Sequence, residues 1–559
     1  MTFLLRFHFL ILALLLGLSW FVPRFGERWF RLVEKFGARV AQKKGTVVAA
    51  AALATVLLRL ALLGIMPVPV PQVHDEFSYL LAADTFAHGR LANPPHPMWI
   101  FLETFHVLQH PTYASIYPPA QGGVLALGQL LGSPWIGVLL SMAAMAAAVT
   151  WAMQAWLPPR WALLGAVLLV LRIGLISDWM NSYWGGALAA TGGALVIGAL
   201  PRIKKRLRVA DALWMALGAA LLANSRPLEG FIFCLPVGVA IVGWLLSKKG
   251  PAFAVAATRL ILPAALVLAI AVAFMGLYNW RVTTNAMLFP EALDEKVYTN
   301  FPPFMWQASA TPLKYNNPQF EEFYNVIPGN IYPRSLWISL TRKAHASWLF
   351  FLGSTLTIPF LAFPWILQDE RTRILLIQCV WCGLGLVSVV WFYPHYAAPL
   401  TATIFILLVQ MLRHLRLWTV GCRPLGVYLT RLVILLLLAR IPFSIAFRRE
   451  NQDSGWNVER QRVLTQLRTK ADKLLVIVSY SNHHIVDHEW VYNAADIDQA
   501  HVVWARQIPG QSLEPLLQYF HDRSVWILEA DTHPLRFLPR SNPVVDGNSL
   551  PSSSQAAVP

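Results

Sequence analysis

The chain has 559 residues, 56% of them apolar and only 13% charged, with a mean hydropathy of +0.50. Soluble domains carry about 25% charged residues, so this composition excludes an ordinary soluble protein and predicts a polytopic α-helical membrane protein. The formal charge of +16 does not mark a nucleic-acid binder, because the bases sit in short loops between apolar runs and the C-terminal hundred or so residues hold slightly more acids than bases.

Apolar runs that reach or approach spanning length fall at 3–22, 46–66, 136–154, 161–177, 184–200, 209–223, 230–247, 258–280, 346–366, 372–391, 395–412 and 425–445, about twelve in all. The first ends in Trp20-Phe21-Val22-Pro23 without a small-residue cleavage site, which predicts a retained span rather than a signal peptide. Lys and Arg concentrate in Arg24–Lys44, Arg202–Arg208, Lys248-Lys249, Arg371–Arg373 and Arg413–Arg423. With twelve spans these loops share one side, the cytoplasm by the positive-inside rule. The segments 67–135 and 281–345 and the C-terminal region then lie on the periplasmic or extracellular side of what reads as a bacterial inner membrane.

The segment 67–135 contains helix-compatible stretches at Asp75–His88 and Thr104–Gln109, broken by Pro94-Pro95, Pro97, Pro111 and Pro118-Pro119. Short helices along the membrane surface are expected, with Trp99, Phe101, Phe105 and Tyr113 as interfacial aromatics. The segment 281–345 has the same character. From about 447 to 540 the pattern changes to that of a small α/β domain, with a helix at Val458–Leu467, a buried strand at Lys473–Ser479, a helix at Leu513–Phe520 and a strand at Ser524–Leu528. The tail 541–559 has a disordered composition. The division is thus an N-terminal span and basic loop (1–45), a membrane region (46–446), the α/β domain and the tail.

The triplet His74-Asp75-Glu76 stands just past a spanning run. A carboxylate partly desolvated at a membrane edge gains basicity and can serve as a general base toward a hydroxyl. Asp75 is the expected base, with Glu76 or His74 orienting it, holding an acceptor or ligating a divalent metal. The same acids also suit the first turn of an ordinary helix. Tyr79 follows one turn on, and Tyr117-Pro118-Pro119 fixes the angle at which the chain re-enters the membrane. Arg226, in Asn224-Ser225-Arg226-Pro227, is the expected phosphate ligand, since a guanidinium fork matches phosphate oxygens, although a pair with Glu229 would also explain it.

Arg59 lies inside a spanning run, where arginine is functional by default unless it snorkels, and is expected to share the donor phosphate with Arg226. Arg172 and Arg440 sit nearer the ends of their runs, where snorkelling is the simpler reading. His395 and Tyr396 mark another helix end, suited to phosphate or acceptor, and Asp178 and Asn181 sit in a Trp- and Tyr-rich turn suited to hydroxyl binding. Cys379-x-x-Cys382 lies in an apolar run and reads as helix packing. His483-His484-x-x-Asp487-His488-Glu489 has metal-ligand residue types but reads as a loop, and Asp496-x-Asp498 lacks the setting of a metal-binding acidic pair. No cofactor is required by these residues; a divalent metal beside Asp75 and Glu76 is the one option.

The order of elements is more specific than any one of them. Asp75-Glu76, then Ala82-Ala83-Asp84 and Gly89, then Tyr117-Pro118-Pro119 and stacked spans, resembles the GT-C membrane glycosyltransferases, nearest the protein O-mannosyltransferase-like and aminoarabinose-transferase-like branch (glycosyltransferase family 39-like). Tyr278-Asn279-x-x-x-Thr283-Thr284 with Phe289-Pro290 is similar to a further element of that branch, with Thr284 where glycine is usual. The resemblance covers roughly 46–410. It implies inverting transfer of a sugar from a polyprenyl phosphate to a hydroxyl at the outer face of the membrane, with an acid of the first external loop as base. The implied partners are the lipid-linked sugar, membrane lipids and an acceptor that is a glycan, lipid or protein. The rival from another class is a transporter or flippase of lipid-linked sugars, which needs the arginines but not the base.

Overall fold

A computed structural model describes residues 17, 20–21, 26–299, 302–307, 313–326, 335–421, 423–452 and 455–539. The predicted span 3–22, apart from three of its residues, and the tail 541–559 lie outside the described residues, as does Cys422. Each of the other eleven apolar runs is helical over most of its length. A helix satisfies its own backbone groups, which is the requirement for a chain that crosses lipid.

Seven helices are long and apolar enough to cross a membrane: Lys44–Ala61, Pro134–Trp156, Gly186–Arg206, Pro227–Leu245, Phe253–Thr283, Pro394–Arg416 and Leu425–Ala446. The pair Leu336–Phe351 and Thr355–Gln368 makes an eighth if its 106° bend belongs to one broken span. The remaining predicted spans are helical but short, as in Val209–Ala223, Arg373–Ser388 and Pro159–Leu169. The chain is therefore an integral, polytopic protein, with fewer full-length spans among the described residues than the apolar runs suggest. Gly186–Arg206 and Pro394–Arg416 form the centre, while Phe253–Thr283 is almost wholly exposed on the bundle's flank. Close packing at the centre depends on small residues, since a Cβ at Gly193 would collide with the Pro399 backbone.

The loop between the first two described spans carries the helix His74–Ala87, a turn of helix at Trp99–Leu102, and a small antiparallel pair, Val107–Leu108 with Ala114–Ser115. The chain then re-enters through Pro119–Leu130, with proline in the first turn. The helix expected at Thr104–Gln109 is not formed. His106 adopts φ 58°, outside helical space, and the next residues pair across the hairpin that contains Pro111.

Beyond the bundle, Trp456–Arg468 and Glu514–Tyr519 are helical and a four-stranded sheet forms in the order Val502–Arg506, Leu474–Ser479, Ser524–Glu529, Arg536–Pro539. The first three strands are parallel and the last is antiparallel. Sequence periodicity predicts two of these strands and misses 502–506 and 536–539. One face of the sheet packs on the first loop, joining Leu475, Ile477, Val503 and Phe520 to Leu81, Phe101 and Tyr113. The backbone N–H of Ala495 donates to Asp84 Oδ2 (2.7 Å), and Tyr492 stacks flat on Phe77.

Candidate active site

The helix His74–Ala87 begins where extended backbone at Val73 turns helical. Glu76, at its third position, reaches back so that Oε2 accepts from the N–H groups of Gln72 (2.7 Å) and Val73 (3.1 Å). This is half of a capping box. Oε1 accepts from the Tyr183 N–H (2.9 Å), which pins the turn 175–185 to the same helix. Burial pushes the Glu76 pKa up to about 7, against three N–H donors that favour the anion. Both oxygens are thus engaged by backbone.

Asp75 leaves the same turn in another direction and meets side chains. Oδ1 lies 2.7 Å from His106 Nδ1 and accepts from the Tyr117 hydroxyl, and Oδ2 accepts from the Trp184 indole N–H (3.1 Å). Each partner is placed by a local feature. The left-handed backbone at His106 turns its ring inward. Tyr117 stacks on Tyr79 with ring centroids 4.4 Å apart, and its carbonyl accepts from the Tyr278 hydroxyl (3.0 Å). Trp184 sits on the turn that Glu76 anchors. Burial pushes the Asp75 carboxyl up, but the hydrogen bond and charge of His106, with the Tyr117 hydroxyl, outweigh it and hold the group below the ordinary carboxylate range. Burial pulls His106 down and Asp75 more than reverses it, so His106 titrates above its ordinary 6.5.

A cationic patch adjoins this centre. Arg226 precedes the helix Pro227–Leu245, where backbone N–H groups and the helix dipole both favour an anion. Its guanidinium lies 4.5 Å from the ring centroid of Tyr396, and no described side chain accepts a hydrogen bond from it. The Ala120 N–H donates to Asn224 O (3.0 Å), holding the arginine loop against the Tyr117-Pro118-Pro119 corner. His395 is buried between Trp184, at 5.0 Å, and Tyr396, also at 5.0 Å between ring centroids. Asp75, Trp184, His395, Tyr396 and Arg226 therefore form one run of side-chain contacts.

Other expected site residues lie elsewhere or are tied differently. Arg59 is fully buried; it donates to Asn181 Oδ1 (3.0 Å), Met66 O (2.9 Å) and Pro67 O (2.9 Å) and lies over the Trp135 ring. Asn181 in turn donates to Ser177 O (2.9 Å). Both therefore brace the two loops. Asp178 is exposed and lines a separate cavity. His74 Nδ1 is 2.6 Å from the Tyr492 hydroxyl of the sheet domain, and burial pulls its pKa down to about 3. The two carboxylates point at different partners, which does not fit a shared metal. Among the described residues no group of three or more His, Cys, Asp or Glu side chains is placed to hold a metal ion, and this covers the His483–Glu489 loop as well.

Sequence reasoning misses His106 and Trp184 as partners of Asp75; neither stands in a motif, and both arrive through backbone turns. It also misses Asp294, on the helix Pro290–Tyr298, which is buried with one oxygen lacking a partner among the described residues. Burial pushes its pKa up to about 7, with His106 opposing. The departure from the resembled pattern at Thr284 has a structural counterpart: this residue has φ 65°, the conformation that glycine adopts at least cost.

The arrangement can be set beside known structures. The sequence matches no protein-family model and no curated protein. Among solved structures, ArnT from Cupriavidus metallidurans bound to undecaprenyl phosphate superposes with a TM-score of 0.51 and 12% identity, covering 86% of this chain and 92% of that one. The fold is that of the GT-C membrane glycosyltransferases. The apo form of the same ArnT aligns with a TM-score of 0.48 at 11% identity, covering 86% of this chain and 93% of that one. The oligosaccharyltransferase of Archaeoglobus fulgidus, tethered with an acceptor peptide, aligns at 0.43 and 12%, covering 87% of this chain and 68% of that one. The Asp75 centre lies on the loop between the first two described spans, and the sheet domain packs on that loop.

Proposed function

We propose that this GT-C-fold protein is a glycosyltransferase that moves a sugar from a polyprenyl-phosphate donor to a hydroxyl of a glycan, lipid or protein, with inversion, at the outer face of a bacterial inner membrane. The observation that carries this reading is Asp75: a carboxylate held by three side-chain donors at a helix start, beside an arginine with no hydrogen-bond acceptor among the described side chains. Fold likeness to ArnT supports the donor class.

In the proposed reaction the acceptor oxygen attacks the anomeric carbon, the bond from that carbon to the phosphate oxygen breaks, and polyprenyl phosphate leaves with the electron pair. The acceptor proton passes to Asp75. A carboxylate with a depressed pKa is a weak base, but phosphate is already a good leaving group. Asp75 therefore acts by position, orienting the hydroxyl and taking its proton late. His106, Tyr117 and Trp184 fix the carboxylate, and Arg226 with its helix N-terminus meets the charge that grows on the leaving phosphate. Glu76 acts as a positioning residue through the backbone of both loops.

The test is release of polyprenyl phosphate by the purified protein, given a panel of polyprenyl-phosphate sugars and an envelope extract as acceptor. Release that is lost in Asp75→Asn, with folding intact, supports the transferase. Donor binding without turnover, unchanged in the variant, would instead favour a transporter of lipid-linked sugars.

A further inference from the structure

A second cationic site lies apart from the Asp75 centre. A cavity of about 360 Å³ opens between the turn at 176–178, the helix Leu336–Phe351 and the helix Leu425–Ala446. Two arginines line it, Arg172 and Arg440. They converge at the bend: a Cβ on Gly353 would lie 3.1 Å from Arg172 Nη2 and 3.4 Å from Arg440 Nη1. Gly353 has φ 58°, a conformation glycine adopts at least cost, and a side chain there would meet both guanidiniums.

The charges there do not balance. Arg172 is 8% exposed and donates to Leu349 O, while its buried Nε has no partner among the described residues. Neither arginine has a carboxylate within ion-pair distance among the described residues, and Asp178, at the edge of the cavity, is the one acid in its lining. Two like charges that converge repel each other, and the buried Arg172 has lost hydration as well; an anion with several acceptor oxygens relieves both costs. The rest of the wall decides what carries that anion. Leu171, Phe350, Leu437 and Ile441 are apolar, and the helix that supplies the last two is only 28% buried, so its far side faces lipid.

We propose that this cavity takes the phosphate of an acidic lipid between Arg172 and Arg440, with the first part of an acyl or prenyl chain along the apolar wall. This site is separate from the donor site at Arg226. It touches the same loops from behind, because Asp178 lies on the turn that ends at Trp184, and Pro394, also in the lining, precedes His395.

Native mass spectrometry of the full chain in neutral detergent tests the proposal, with Arg226→Gln as the background so that the other anion site is silent. The probes are phosphatidylglycerol, undecaprenyl phosphate, diacylglycerol and inorganic phosphate. Expected is one acidic lipid per chain, bound about tenfold or more tighter than diacylglycerol. Arg440→Gln removes one guanidinium, and Ser444→Trp fills the cavity while keeping both arginines; each is expected to weaken that binding about tenfold. A preference for one of the two acidic lipids identifies the source of the phosphate. Unchanged affinity in both folded variants overturns the site, and inorganic phosphate binding as tightly as the lipids overturns its assignment to lipid.

Discussion

The ring-lined corner around Asp75 and the backbone-lined corner around Arg59 both hold a charge out of water, and both join the first loop to the turn 175–185. They differ in what answers the charge. Arg59 is held by two backbone carbonyls and an asparagine, and its removal would take a donor from each. Asp75 is held by an imidazole, a phenol and an indole, all side chains. Glu76 belongs with Arg59, although it is the immediate neighbour of Asp75. Lys343, donating to the carbonyls of Leu386, Val387 and Val389 near another helix end, is a further case of the same kind. At these two corners the backbone-held charges brace the fold, whereas the carboxylate held by side chains is the one we propose for chemistry.

The comparison predicts different readouts for the two corners. The largest effect is expected at Asp75: Asp75→Asn lowers turnover by about 10²–10⁴-fold in a single-turnover assay of the folded protein, and also lowers the thermal midpoint through loss of the ion pair to His106. Arg226→Gln comes next, weakening capture of the phosphate and lowering kcat/KM about 10–100-fold with the fold intact. Trp184→Phe removes one donor to Asp75 and leaves the stacking, so kcat falls by about tenfold or less. In the backbone-lined class the loss is of stability. Glu76→Gln destabilises by about 1–3 kcal/mol, read as a lower thermal midpoint in detergent, and surviving folded protein keeps most of its turnover.

The Asp75–His106 pair also sets a pH window. Asp75 is depressed below its ordinary 3.8, so its contribution to stability is present above 3.8 and is lost as pH falls through the depressed value. His106 is raised above 6.5, so its contribution is full below 6.5 and is lost as pH rises through the raised value. Turnover is therefore expected to hold level through mildly acidic pH and to fall on an alkaline limb above 6.5. Glu76 and Asp294, both raised to about 7, titrate in the same window, so His106→Gln should shift that limb, and an unshifted limb would assign it to those acids.

What was legible in the sequence follows the same division. Apolar runs and the helix after His74 are local patterns, and among the described residues eleven of the runs are helical over most of their length. The strand 474–479 is a continuous apolar run and was equally legible, whereas 502–506 ends in the buried, charged Arg506, and 536–539 is a short edge strand. Asp75 was found because two acids beside a span are costly. His106 and Trp184 were not, because their approach depends on a left-handed residue and on a turn tied down by Glu76, neither of which has a periodic signature. Arg59 read as a phosphate ligand because the sequence shows the cost of a buried charge without showing what answers it. The docking of Tyr492 and Ala495 onto the first loop joins residues some four hundred positions apart, beyond any local pattern.

The most direct test of the central claim is to measure polyprenyl-phosphate release and thermal midpoint side by side for Asp75→Asn and Glu76→Gln. The account predicts that Asp75→Asn abolishes release from protein that remains folded, while Glu76→Gln lowers the midpoint and keeps release. Release that survives in Asp75→Asn but is lost in a stably folded Glu76→Gln would contradict it and move the base to the neighbouring carboxylate.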